Sequence, residues 1–194
     1  MKKILTLAAL LSFMAACKKD KNDDKKDGPV LMPLAIGNQW VFDHTEYDQN
    51  DVAYNTYMEP PNVVLKQGTR PGFYFIDSSE QVSSTATDIQ AYIDNEPAFK
   101  FLKSSKIDTF SRVTDVDGYK TVSIAFPDTT KVLTFNSCYR NEYLYYDPNG
   151  ALYGKDVYYV SPGIGIVRND YYAWWGNNVW HLDYREDLKS YIIK

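Results

Sequence analysis

The sequence predicts an all-β fold, an antiparallel meandering barrel or sandwich of about ten strands. Short runs of alternating apolar and polar residues follow one another, with turn signals about every 8 to 12 residues. Stretches with the 3.6-residue apolar period of a helix do not extend beyond two turns. Aromatic residues favour strands and bury large areas, and the chain has 17 Tyr, 9 Phe and 4 Trp.

The first strand-like run is Asn38–Tyr47, which places Trp40, Phe42 and His44 on one face. Two later turns predict hairpins, because Asp117-Gly118 and Pro148-Asn149-Gly150 each lie between strand-like runs. Those runs are Thr109–Val116 with Tyr119–Phe126, and Glu142–Asp147 with Leu152–Val160.

The remaining strand-like runs are bounded by Gly, Pro and Asn in the same way. One stretch, Gln81–Tyr92, is compatible with a helix as well as with a strand. The remaining runs are Asn62–Lys66, Phe73–Asp77, Asp88–Ile93, Phe99–Ser104, Lys131–Asn136, Ile164–Asn169, Asn178–Arg185 and Leu188–Ile193, the last of which closes the domain.

The N-terminus predicts export and lipidation. Two lysines precede a mostly apolar run, Ile4–Met14, which is too short to span a bilayer and is typical of a secretory signal. Met14-Ala15-Ala16-Cys17 resembles the lipobox of bacterial lipoproteins, with Met14 where Leu is usual. That resemblance implies cleavage after residue 16 and acylation of Cys17, which would tether the chain to a membrane. We expect outer-membrane attachment, at the cell surface or the periplasmic face.

Charge divides the mature chain into two parts. Residues 17–28 contain five lysines and four aspartates and no apolar side chain after Cys17, which predicts a disordered spacer that reaches ~20 Å. An acidic and basic stretch at this position also resembles the export signals of surface-exposed lipoproteins. Residues 29–194 form one predicted β-rich domain with 14 Lys and Arg against 21 Asp and Glu. Its net charge of −7 disfavours nucleic acid as a partner.

Two motifs near the ends of the domain resemble a family. Met32-Pro33-Leu34-Ala35-Ile36-Gly37-Asn38-Gln39-Trp40 is similar to the P-L-x-x-G-N-x-W opening of a set of uncharacterised bacterial lipoprotein domains. Gly163-Ile164-Gly165-Ile166-Val167 is similar to their later G-I-G-x-V motif. The resemblance implies an antiparallel β fold of lipocalin-like type and no particular activity.

Catalytic motifs are not evident. The sequence contains no Gly-x-Ser-x-Gly, and Cys138 is predicted to be a buried, inert thiol once Cys17 carries lipid. His44 and His181 have acidic neighbours and would converge only if the first and last strands pair, so ordinary strand histidines are the favoured interpretation. We therefore expect no enzyme activity, no cofactor and no resident metal. The minor alternative is a hydrolase whose catalytic groups are a pair of carboxylates.

One aromatic segment is the candidate binding site. Tyr172, Trp174, Trp175 and Asn177 surround a Gly-Asn-Asn turn, where rings and amides would suit a glycan or a small apolar ligand. The alternative is that these residues fill the core or pair across a hairpin. The sequence therefore predicts a tethered ligand-binding protein, with a structural or assembly component that contacts other envelope proteins as the alternative.

Overall fold

The structure is a computed structural model that describes residues 29–76, 80–93, 96–174 and 179–194. Its regular elements are all β-strands, which confirms the predicted fold class. Cys17, the charged linker, Trp175 and Asn177 lie outside the described residues. Within those residues, no helix is long and apolar enough to cross a membrane.

The strands are β1 (Gln39–Tyr47), β2 (Ala53–Met58), β3 (Asn62–Gln67), β4 (Tyr74–Ile76), β5 (Glu80–Ser84), β6 (Asp88–Ile93), β7 (Glu96–Leu102), β8 (Asp108–Thr114), β9 (Lys120–Val132), β10 (Phe135–Tyr146), β11 (Leu152–Ser161), β12 (Gly165–Trp174) and β13 (Trp180–Ile192).

The strands form one antiparallel meander that curls into a nearly closed barrel. Neighbouring strands follow the order β7-β6-β5-β4-β3-β1-β13-β12-β11-β10-β9-β8, and β2 pairs with β1 beside this path. The first and last strands therefore lie side by side in the middle of the sheet. The barrel and sandwich alternatives are thus resolved in favour of a barrel with a seam between β7 and β8.

Several predicted runs join into longer strands. Lys131–Asn136, which was predicted as one strand, instead contains the end of β9, the tight turn at residues 133–134 and the start of β10. The two last predicted runs are parts of the single strand β13. The stretch Gln81–Tyr92, which was compatible with a helix, instead lies in strands β5 and β6 and the turn between them. The Asp117-Gly118 turn forms as predicted, with Gly118 at a φ of 86°, where the absence of Cβ removes the usual steric penalty.

The apolar core fills one end of the barrel. Trp40, Val160, Val167 and Leu188 project from four adjacent strands and are nearly inaccessible to solvent. They pack against a second layer from the β3–β7 half of the sheet. Further along the same inner face, towards the other end of β10–β13, the buried side chains become polar and tyrosine-rich.

The two family-like motifs lie against each other in this core. The indole Nε1 of Trp40 donates a hydrogen bond of 2.7 Å to the carbonyl oxygen of Ile164. A Cβ on Gly165 would lie 2.8 Å from a side-chain carbon of Met32, so only glycine lets the two segments approach this closely. The amide of Asn38 donates to the carbonyl of Pro33 and accepts from the backbone of Lys194. Both motifs therefore have a structural role.

Side chains of β10 bond to the free edge of β7. The amide of Asn141 accepts from the backbone N–H of Leu102 at 2.9 Å and donates to its carbonyl at 3.2 Å. Two residues along, the hydroxyl of Tyr143 accepts from the N–H of Lys100 and donates to its carbonyl. These four bonds replace the ladder that a neighbouring strand would supply, so the edge of β7 is satisfied at Lys100 and Leu102 without strand pairing.

Candidate functional site

A cleft of about 500 Å³ lies at the seam of the barrel. One wall comes from β6 and β7, and the other comes from β8, β9, β10 and β11. The cleft exists because the β7 edge meets the inner face of β10 instead of pairing with β8. Its lining is mostly apolar and aromatic, and it includes Tyr92, Phe99, Phe110, Tyr143, Tyr145 and Tyr158.

Uncharged hydroxyl groups provide most of the polar lining. Ser111, Thr121 and Ser123 lie along the β8 and β9 side. Burial raises the pKa of the Tyr145 and Tyr158 phenols well above the ordinary value, so both stay protonated near neutral pH. The cleft therefore offers hydrogen-bonding groups on an apolar surface, the combination typical of small-molecule sites.

A buried carboxyl group lies behind the cleft. The Tyr145 hydroxyl donates a hydrogen bond of 2.5 Å to Oδ2 of Asp156, which is 6% exposed. Burial is the largest influence on this group and raises the pKa of Asp156 to about 6. Its other oxygen, Oδ1, has no hydrogen-bond partner among the described residues. The carboxyl is therefore held in its charged form at neutral pH at a cost in folding free energy.

A row of stacked rings continues along the same inner face. Tyr57, His44, Tyr184 and Tyr171 come from four neighbouring strands, with successive ring centroids 4.9, 4.9 and 5.1 Å apart. A side chain on Gly154 would collide with the hydroxyl of Tyr171, so the absence of a side chain there makes room for the last ring. The row places His44 near the open end of the barrel.

Two carboxylates surround the imidazole of His44. Its Nδ1 lies 3.7 Å from Oε1 of Glu59 and 3.6 Å from Oε1 of Glu186. One oxygen from each glutamate and Nδ1 all lie within 4.8 Å of one another. The chain trace explains this cluster, because His44 lies directly opposite Glu186 on β13 and Glu59 follows β2 on the other side.

The predicted aromatic segment lies elsewhere. Tyr172 and Trp174 are on the outer face of the barrel, where the Lys155 ammonium lies 4.8 Å from the Tyr172 ring centre. Trp174 is 38% exposed and packs edge-on against Trp180 across the hairpin, at 5.0 Å. The other two predicted residues, Trp175 and Asn177, lie outside the described residues. Tyr172 and Trp174 thus form an outer patch, separate from the cleft.

The remaining candidates are also placed by the structure. The first and last strands pair, but the register keeps the two histidines apart, since His181 lies opposite Ala173 and near Asp51 instead. Cys138 is fully buried, and that burial raises the pKa of its thiol, as expected of an inert cysteine.

The cleft residues were missed by sequence reasoning, although one signal was present. Tyr143 and Tyr145 alternate on one face of a predicted hairpin arm, and Asp156 and Tyr158 alternate on the other arm. Aligning the two arms would have predicted a polar, tyrosine-rich surface there.

Comparison with solved structures gives three similar chains, of which two are described below. No protein-family model and no curated protein matches the sequence. One similar structure is described as an exported protein with a YMCC-like fold from Bacteroides fragilis NCTC 9343, at 14% identity and a TM-score of 0.42, covering 85% of this chain and 100% of that chain. Another is described as a lipoprotein from Parabacteroides distasonis ATCC 8503, at 14% identity and a TM-score of 0.40, covering 86% of this chain and 100% of that chain.

Proposed function

We propose that this chain is a membrane-tethered, extracytoplasmic binding protein without catalytic activity, and that its seam cleft takes a small, mostly apolar, uncharged ligand. The lipobox-like sequence before Cys17 supports the tether, with outer-membrane attachment at the surface or periplasmic face. The observation that carries the binding role is the cleft itself.

Three properties of the cleft define the ligand class. A volume of about 500 Å³ accommodates one small molecule. The apolar and aromatic walls favour an apolar body, and the neutral hydroxyls of Ser111, Ser123 and Tyr145 favour a few polar groups on it. The negative net charge of residues 29–194 disfavours an anion.

Filling the cleft should abolish binding of an apolar probe. Ser111 is half-buried on β8 and lines the cleft, so the indole of Ser111→Trp would occupy much of it. With the neutral fluorophore N-phenyl-1-naphthylamine as the probe, we expect saturable binding to the full-length chain and at least a tenfold loss in Ser111→Trp, about 1.4 kcal/mol. Fluorescence titration measures the affinity, and circular dichroism verifies that the variant is folded.

Trp174→Ala is the matched control, because it removes an aromatic ring from the outer patch and leaves the cleft unchanged. We expect it to bind the probe like the parent chain. Loss of binding in Trp174→Ala with retention in Ser111→Trp would move the site to the outer patch. A glycan array on the same two variants tests whether the ligand there is a sugar, which exposed rings and amides suit.

A second role, contact with another envelope protein, is favoured by β2. All six of its residues are exposed, and among the described strands it pairs only with β1, which leaves its other edge available to an added strand. Thr56 lies in a non-hydrogen-bonded pair with Thr45, so its N–H points away from β1 and Thr56→Pro would remove one backbone donor from that edge. If β2 recruits a partner, a membrane pull-down should return a stoichiometric protein with the parent chain and lose it with the variant; equal recovery would count against this role.

A further inference from the structure

His44 is held rigidly by its neighbours. Its ring lies between Tyr57 and Tyr184, at 4.9 Å from each and within 23° of parallel. The side chain is 13% exposed, so little room is left for another rotamer. A preorganised imidazole loses little conformational entropy when it binds a ligand.

The Nδ1 atom of this imidazole is buried and has no hydrogen-bond partner among the described residues. Its distances of 3.7 Å to Glu59 and 3.6 Å to Glu186 exceed those of N–H···O hydrogen bonds. Two ligand atoms that each lie about 2.05 Å from a tetrahedral zinc ion are about 3.3 Å apart. The separations around Nδ1 are therefore close to those that an intervening ion requires.

Both glutamates are positioned by further contacts. Oε2 of Glu186 accepts a hydrogen bond of 3.4 Å from the amide of Asn169, which leaves Oε1 directed at the imidazole. The backbone N–H of Glu59 donates to the carbonyl of Phe42 at 2.8 Å and fixes the loop after β2. Outer contacts of this kind orient metal-ligating side chains. The glutamate side chains are 32% and 34% exposed, so an ion can enter from solvent and keep water ligands.

The geometry points to a binding site for one divalent transition-metal ion, with His44 Nδ1, Glu59 and Glu186 as the protein ligands. One imidazole and two carboxylates suit Zn²⁺, and the ion would balance the two negative charges. This site differs from the sequence-based expectation of no resident metal. It also goes beyond the proposed function, since the cleft residues take no part in it.

Zinc binding to the full-length chain tests the proposal. We expect isothermal titration calorimetry with Zn²⁺ to give one site per chain, and we expect zinc to raise Tm. Glu59→Gln should weaken binding by more than about 100-fold, because changes to outer partners alone cost 10- to 100-fold. His44→Phe should remove binding while keeping an aromatic ring in the stack between the two tyrosines.

His181→Phe is the matched control, since His181 has one carboxylate, Asp51, at 3.6 Å and lies away from the cluster. It should bind zinc like the parent chain. The absence of saturable zinc binding to the parent chain would overturn the proposal. Zinc binding of unchanged affinity in Glu59→Gln, or in a folded His44→Phe, would overturn it as well. Because Glu59 is in a partly exposed loop, its variant tests the site even if His44→Phe fails to fold.

Discussion

Asn141→Leu should lower the free energy of unfolding by about 2–5 kcal/mol and open the seam of the barrel. The amide of Asn141 is 1% exposed and bonds both backbone groups of Leu102. Leucine has a similar volume but makes neither bond, so the N–H and the carbonyl of the half-buried Leu102 lose their partners, at about 1–3 kcal/mol each. Urea unfolding measures the loss, and amide hydrogen exchange at Leu102 locates it.

Asn136→Leu is the control on the same strand, because Asn136 is exposed on β10. It should change stability by no more than about 0.5 kcal/mol. Tyr143→Phe removes the neighbouring pair of bonds to Lys100, and the double variant should show coupling with Asn141→Leu, since both side chains hold one edge. Unchanged exchange at Leu102 in Asn141→Leu would mean that the edge of β7 is held by other contacts.

The sequence predicts the hairpins well because their causes are local. Asp115 shows this: its carboxylate accepts from the N–H groups of Asp117 and Tyr119 and sets the turn before β9. An Asp-Gly turn between alternating runs carries this information within a few residues. The first strand was predicted for the same reason, and Trp40 and Phe42 of its predicted face both contact the core.

The length of β13 was not predicted, because its charged middle resembles a break. Arg185 and Asp187 instead pair across to β12, with Asp170 and Arg168, at 2.6 Å in each case. These ion pairs stabilise a strand that an apolar pattern does not reveal. The exposed strand β2 lacks a buried face altogether, so its sequence gives no alternation to detect.

The seam, the cleft and the histidine cluster depend on which strands become neighbours. The sequence leaves the pairing of the first and last strands open, but the register that sets His44 opposite Glu186 follows from the whole meander. Glu59 enters the cluster from a loop with no motif of its own. The meeting of β7 with the face of β10 depends on how far the sheet curls, a property that is summed over all its strands.

The buried carboxyl of Asp156 makes stability depend on pH in a defined direction. Burial raises its pKa from the ordinary aspartate value of 3.8 to about 6. Between about pH 4 and pH 6 the folded state therefore binds more protons than the unfolded state, and the free energy of unfolding falls as pH rises through this window. Above about pH 6 the contribution of Asp156 is fully unfavourable, by about 3 kcal/mol.

Asp156→Asn should therefore stabilise the protein at pH 7 by about 1–3 kcal/mol. Asparagine has nearly the same shape and no charge to bury, and its carbonyl oxygen can still accept from the Tyr145 hydroxyl, through a weaker bond than the carboxylate forms. The gain should shrink as pH falls from 6 to 4, because the aspartate of the parent chain then becomes neutral too. Urea unfolding of both chains at several pH values in this range measures the difference.

Asp128→Asn is the matched control, since Asp128 is exposed on β9 and its replacement should change stability by less than about 0.5 kcal/mol. An Asp156→Asn variant that is less stable than the parent chain at pH 7 would show that the bond from Tyr145 to the charged carboxylate outweighs the cost of burial. In that case the charged form of the carboxyl group behind the cleft would be stabilised by its hydrogen bond from Tyr145. A more stable variant would indicate that the carboxylate is retained at the expense of folding stability, as is common for groups in binding sites.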